Sequence, residues 1–322
     1  IISPVIILRI TMTKWFYAPQ KILPGKFPRL AQAGFAVAIA LMWVNPSLAA
    51  DPFRTNDQRK IGDKTEAAFK AIFQQGNYKE AERYLQQAES SEPNEPLAYA
   101  MKASLAYVNQ DRATLDTYSK KTLETGQNLI ATDPLRGNLY AAVGYFLEGA
   151  VILQREGTLN GAPQALTRLQ QVYRHLDKAE AVSANDPELN LVKGYMDLML
   201  AVNLPFANPG QAIERLEKNA APQYLADRGV ALAYRDLKQY SQALEYANRA
   251  LKMTSDNPEM YYLKAQILQE QGKKEKSQQM IQEAIANFDK ALAKKSQLPA
   301  DLVKQIERER RSATNRLNNT KS

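Results

Sequence analysis

His175, in the stretch QQVYRHLDKAEA, is the only histidine, and there is no cysteine. Imidazole works as a general base or a zinc ligand only in company. Without a second histidine or a thiolate, His175 cannot anchor a usual zinc site, and no serine motif of the hydrolase kind is present for it to activate. It is expected to be an ordinary helix-surface or interhelical residue. The carboxylates are scattered through helical stretches, and a glycosidase pair is defined by a separation in space that sequence does not supply. Neither Gly76 nor Gly272 opens a G-x-x-x-x-G-K run, so no phosphate loop is expected. Lack of cysteine removes disulfides, thiol nucleophiles and thiolate metal sites, and stays compatible with an oxidising compartment. These residue types point to binding in place of catalysis, with no metal and no cofactor.

The elements that hold side chains in place are helical hairpins. Between Pro222 and Leu292 the segments ALAYRDLKQYSQALEYANRAL and KAQILQEQGKKEKSQQMIQEAI repeat at 34 residues, with Ala231 over Ala265, Tyr234 over Leu268, Ala247 over Ile281 and Leu251 over Ile285. Apolar positions recur three and four apart, break at Lys238-Gln239-Tyr240 or Gly272-Lys273-Lys274, and resume. Small residues fall where paired helices must cross: Ala231 and Ala265, Ala243 and Ser277, Ala250 and Ala284. Neither hairpin can bury its apolar face alone, so each must stack on the next. Pro96, Pro187 and Pro258 each suit a first helical turn, where the missing N–H costs nothing. No segment shows the Val/Ile/Thr alternation of a sheet.

The stretch QQGNYKEAERYLQQAESSEP adds Gly76, Tyr78, Ala81, Leu85, Ala88 and Pro93 at matching spacing. With the two later copies it resembles the tetratricopeptide repeat. Two positions depart from that pattern: Asp227 stands where an aromatic is usual, and Gln110 replaces the turn glycine one period after Gly76. The resemblance implies an all-α, right-handed solenoid of stacked hairpins over residues 64–297, with degenerate longer helices in the middle. It also implies a concave wall that holds a partner peptide or helix, at positions Ala100, Ser104, Tyr107, Val108, Leu191, Tyr195, Leu198, Met199, Arg228, Leu232, Arg235 and Tyr262. Tyrosine, arginine and methionine suit such a groove, and they equally suit a core between repeats. In arrangement the chain also resembles exported cyanobacterial proteins of this repeat class, which implies a periplasmic or thylakoid-lumen setting.

In the middle, Gly144 and Gly149 sit in RGNLYAAVGYFLEGAVILQREG, each costing roughly 1 kcal/mol relative to alanine inside a helix. Either a second helix packs closely over Gly144 or a ligand approaches its backbone. Residues 157–163 read as a loop, and 164–184 as a helix.

The formal charge of +8 comes from 42 basic against 34 acidic residues. Five of the bases lie before residue 50 with no acid among them, leaving 37 against 34 for the rest. A body so nearly balanced offers no broad footprint for a phosphate backbone, so no nucleic acid is expected. Residues 298–322 read as a capping helix and tail, either simply solvated or an acidic partner's docking site. Residues 1–50 read as an upstream segment and a signal peptide. Lys14, Lys21, Lys26 and Arg29 are followed by an apolar run, Ala33 to Val44, shorter than the roughly 20 residues of a membrane helix. Ser47-Leu48-Ala49 then supplies small residues for cleavage. Retention of Leu30 to Ala50 as a membrane anchor, or its burial as a core helix, are the alternatives. Residues 51–63 read as a flexible lead-in.

Overall fold

The computed structural model describes residues 51–201 and 209–319. Among them are twelve α-helices and no strand, an all-α stack of helical hairpins. The expected leader and most of the connection from Asn203 to Gly210 lie outside the described residues.

Helix α1 (Asp63–Phe69), prolonged by a π-turn over Lys70–Gln74, pairs with α2 (Tyr78–Ser91), and α3 (Pro96–Val108) pairs with α4 (Arg112–Leu129). The third hairpin is α5 (Pro134–Val182), two limbs joined at Gly157. Three more follow: α6 (Pro187–Ala201) with α7 (Pro209–Asn219), α8 (Gln223–Asp236) with α9 (Tyr240–Met253), and α10 (Pro258–Glu275) with α11 (Gln278–Leu292). Helix α12 (Ala300–Asn319) closes the array, burying Leu302, Ile306 and Ala313 in a cluster with Phe288 and Ala291.

Local chemistry fixes the boundaries. Four first helices start with an acidic residue or asparagine followed by proline: Glu95-Pro96, Asp133-Pro134, Asp186-Pro187 and Asn257-Pro258. In each, the side chain before proline accepts a hydrogen bond from a first-turn N–H, that of Leu97, Arg136, Leu189 or Glu259. Proline lacks only a donor that would have no helical partner. The turns within hairpins are set by residues of positive φ: Gly76, Gln110, Gly157, Lys238 and Lys276. Gln110 thus takes up the left-handed backbone that the glycine provides one hairpin earlier.

The third hairpin corrects the expected loop over 157–163. Gly157 alone, at φ 74° and ψ 170°, reverses the chain, and the second limb is helical from there through Pro163. Close approach explains Gly144. A Cβ there would lie 2.6 Å from the Cα of Leu123 and 2.7 Å from its backbone N, while one on Gly126 would lie 2.6 Å from the backbone N of Ala141. Helices α4 and α5 therefore cross backbone against backbone. Helix propensity alone would make Gly144→Ala stabilising by roughly 1 kcal/mol. The crossing reverses the sign: we expect a loss of about 1–3 kcal/mol from overpacking, read as a lower urea midpoint. Leu115, large for a helix crossing, is accommodated because α3 faces it with Ala103 and Ala106.

The 34-residue register also needs correction. Helix α10 has 18 residues against 14 in α8, so the sixth hairpin is one turn longer in its first helix. Gly272 is helical, packed against Met280 and Ile281, and Lys276 makes the turn. Ser277 caps α11 by accepting from the N–H of Met280, and Ile281 stands where Ala243 stands in α9. An added turn of about 3.6 residues leaves the apolar face pointing the same way, so both registers satisfy the pattern.

The array winds back on itself. Asn257 Nδ2 donates to the carbonyl of Phe73 at 3.1 Å, and the Tyr78 hydroxyl donates to Glu259 Oε1 at 2.7 Å, joining positions 184 and 181 residues apart. The turn of the first hairpin, at Gly76, thereby seats on the start of the sixth. The turn of the second does the same one step on, with Gln110 Nε2 at 3.4 Å from Asp301 Oδ2 at the start of α12. One superhelical turn takes five hairpins.

The lead-in is the other correction. Residues 51–63 were expected to be flexible, yet Asp51, Phe53 and Ile61 are buried and Asp63 begins α1. Phe53 packs edge-on against Phe69 at 5.0 Å, and Arg54 and Arg59 reach the starts of α5 and α6. Side chains rather than backbone pattern hold the segment, which is why its polar sequence reads as loose.

Candidate functional site

The inward faces of the first helices were expected to line a groove. Of the twelve named positions, Ala100, Leu191, Leu198, Met199 and Tyr262 are buried and the other seven are half-buried; none is exposed. Their polar groups join one helix to the next. The Tyr195 hydroxyl donates to the carbonyl of Leu225 at 2.7 Å, and its ring lies against Gly229. Arg228 Nη2 is 2.6 Å from Glu259 Oε2, and Arg235 Nη1 donates to Gln266 Oε1 at 2.9 Å. Tyr262 donates to Glu309 on α12 at 2.7 Å. Ser104 donates to the carbonyl of Ala100 in its own helix. Leu232 packs against the alanine cluster of α8 and α9, and Tyr107 against that of α3 and α4. Burial pushes the Tyr107 phenol up to about 12. Val108 is half-buried at the end of α3. Five of these positions are taken up by packing within the chain, and the other seven keep part of their surface exposed.

A second constellation emerges where α3, α5 and α6 start. Arg136, 3% exposed, makes a two-point pair with Glu95, Nη2 to Oε1 at 2.8 Å and Nη1 to Oε2 at 3.2 Å. Its Nε lies 3.2 Å from Glu188 Oε2, and Tyr140 donates to Glu188 Oε1 at 2.6 Å. Arg54, from the lead-in, meets Glu188 at 3.3 Å, Asp186 at 2.5 Å and Asp51 at 2.7 Å. Arg59 lies 3.4 Å from both Asp133 and Asp186. Burial works against the Arg136 charge, but Glu188 and Glu95 more than reverse it and hold the guanidinium charged. Burial also raises the Tyr140 hydroxyl, which keeps it a donor to Glu188. Chemically this is an acidic cradle built to hold guanidinium groups. It follows no helical period in the sequence. The available signal was the recurring acid–proline start, which stacks Glu95, Asp133 and Asp186 along one edge.

His175 lies between the limbs of α5, with Nδ1 2.9 Å from Asn138 Oδ1 and its ring beside Tyr145. Burial, then Lys178 and Arg174, lowers its pKa. Among the described residues no group of three or more His, Cys, Asp or Glu could hold a metal ion, and no helix is long and apolar enough to cross a membrane.

A third cluster ties α2 to α3 and α4: Glu89 accepts from Lys102, from Lys121 at 2.7 Å and from Tyr118 at 2.9 Å. Burial pushes the Glu89 carboxyl up, but the hydrogen bonds from Lys102, Lys121 and Tyr118 together outweigh it and hold the pKa at about 2. A carboxyl depressed in the folded state stabilises above its unfolded pKa and loses that contribution as pH falls through the folded one. Glu89→Gln is therefore expected to lower the melting temperature at pH 7 and to converge with the parent near pH 2. A parallel offset at every pH would refute this.

The architecture defines a helical-hairpin repeat protein of the α-solenoid class. More narrowly, the family model described as tetratricopeptide repeat matches residues 230–257 and 258–292, which cover the second half of α8 with α9 and the hairpin α10–α11. Such repeats mark a scaffold for protein–protein interaction. The stretch from Gly76 to Pro93, which carries most of the motif residues, lies outside the matched residues. No curated protein and no solved structure matches the chain.

Proposed function

We propose that the protein is an exported scaffold that acts by binding another protein, not by chemistry, in the periplasm or thylakoid lumen. A role in assembling or maintaining an envelope or membrane complex fits this setting. The carrying observation is the pair of tetratricopeptide repeats set in a longer array of like hairpins. Export is supported by the basic start, the short apolar run and the small residues at Ser47 to Ala49.

Two measurements test the proposal. Crosslinking in the native envelope followed by pulldown should recover a protein partner that, once purified, rebinds saturably. Lack of saturable rebinding, or release of fragments from cell-wall glycan by the pure chain, would overturn it. Mass spectrometry should find a mature chain beginning at Ala50 or Asp51. Retention of Leu30 to Ala50 would make it a membrane-anchored scaffold instead.

A further inference from the structure

The turns of the first two hairpins cover the starts of α10 and α12. At the starts of α3, α5 and α6 the corresponding place is taken by residues 51–62. Among the described residues, every backbone hydrogen bond of residues 51–61 stays inside the segment. The N–H of Arg54 bonds to the carbonyl of Asp51 and that of Ile61 to the carbonyl of Arg59. The N–H groups of Phe53 and Arg59 bond to the Asp51 carboxylate. Only side chains reach the helices: Phe53 and Ile61 into the apolar cluster, Arg54 and Arg59 onto carboxylates. The fold's own backbone pairing meets the segment only at its end, where the carbonyl of Gly62 accepts from the N–H of Glu66 at the start of α1.

Lifted away, the segment would leave Glu95, Asp133, Asp186 and Glu188 around one cation, Arg136. With the segment in place Glu188 is 0% exposed and Asp186 6% exposed, and Arg54 supplies a cation to both. Without the segment Glu188 would keep Arg136 while Asp186 kept no guanidinium, leaving an acidic surface that favours a cationic occupant. Arginine fits better than lysine, because Arg54 meets Asp51, Asp186 and Glu188 at once through its fork of donors. The recess beside Phe69 takes an aromatic ring immediately before it.

We propose that this acidic cradle is a peptide-binding site whose resident occupant is the chain's own 51–62 segment. The partner enters with an extended segment of the same chemistry, an aromatic residue followed by arginine, and displaces it. The proposal rests on the scaffold reading. It adds that the closed form holds its own ligand.

A labelled peptide of sequence DPFRTNDQRKIG is titrated by anisotropy against the full chain and its Arg54→Ala and Arg54→Lys variants. Weakening the internal segment raises the fraction of open cradle, so Arg54→Ala should bind about tenfold tighter than the parent, with Arg54→Lys in between. A peptide with Glu in place of Arg54 should bind none of them. Circular dichroism is recorded for each chain. A folded Arg54→Ala chain that binds no better than the parent overturns the proposal. So does loss of cooperative melting in both variants, which would make the segment a permanent cap. A dimer by light scattering would make the occupant a second copy and overturn it too. A partner captured equally by parent and Arg54→Ala would leave the scaffold reading standing and remove the cradle as its docking site. Peptide binding as predicted with no protein partner found would do the reverse.

Discussion

Arg136→Ala is expected to cost about 3–5 kcal/mol, the largest loss of any single truncation in the polar framework. The guanidinium is the cation paired with Glu95 and shares Glu188 with Arg54, so its removal leaves the buried Glu95 uncompensated and Glu188 with Arg54 alone. Glu95 also caps α3, so its displacement would loosen the first turn of that helix. The expected result is a large drop in the urea midpoint, with a smaller drop when Glu188→Gln is already present, because part of the uncompensated charge is then gone. Additive losses would show that Arg136 and Glu188 do not act as a pair. A loss under about 1 kcal/mol would put the cluster at the level of a surface salt bridge.

Ala243→Arg should be comparably damaging for a different reason. Ala243 is 0% exposed, in a cluster with Ala231, Ala247 and Ala250 where α8 and α9 cross. Overpacking such a site costs about 1–3 kcal/mol, and forcing a charge toward it without a partner adds to that. The neighbouring Gln242→Arg, on the exposed face of the same helix, is expected to stay within about 0.5 kcal/mol of the parent. Equal melting temperatures for the two variants would contradict the packing of this hairpin.

Much of the fold is legible in the sequence because its signals are local. Apolar positions three and four apart, the small residues Ala231, Ala243 and Ala265, and the proline starts each act within one hairpin. Gly144 is legible for the same reason: a glycine costly inside a helix needs a close neighbour, and Leu123 is that neighbour. The length of α10 is not, since one extra turn preserves the face on which the pattern depends. The return of the array on itself depends on the rotation from each hairpin to the next, accumulated over five of them. No short window encodes the contact of Tyr78 with Glu259. The periodicity that puts the expected groove residues on the inward face does not separate the five that are buried from the seven that stay half-buried. The lead-in was misread because Phe53, Arg54, Arg59 and Ile61 have no period at all, only partners far along the chain.

Closure of the superhelix after five hairpins carries the rest of this account, and the chain's lack of cysteine allows a clean test. Gln110→Cys with Asp301→Cys puts the only two thiols at exposed positions 191 residues apart, where the native side chains lie 3.4 Å from each other. Treated with a short bifunctional maleimide at low protein concentration, the pair should link within one chain and run as a compact monomer. An open array would leave the two thiols unlinked, or joined only between molecules.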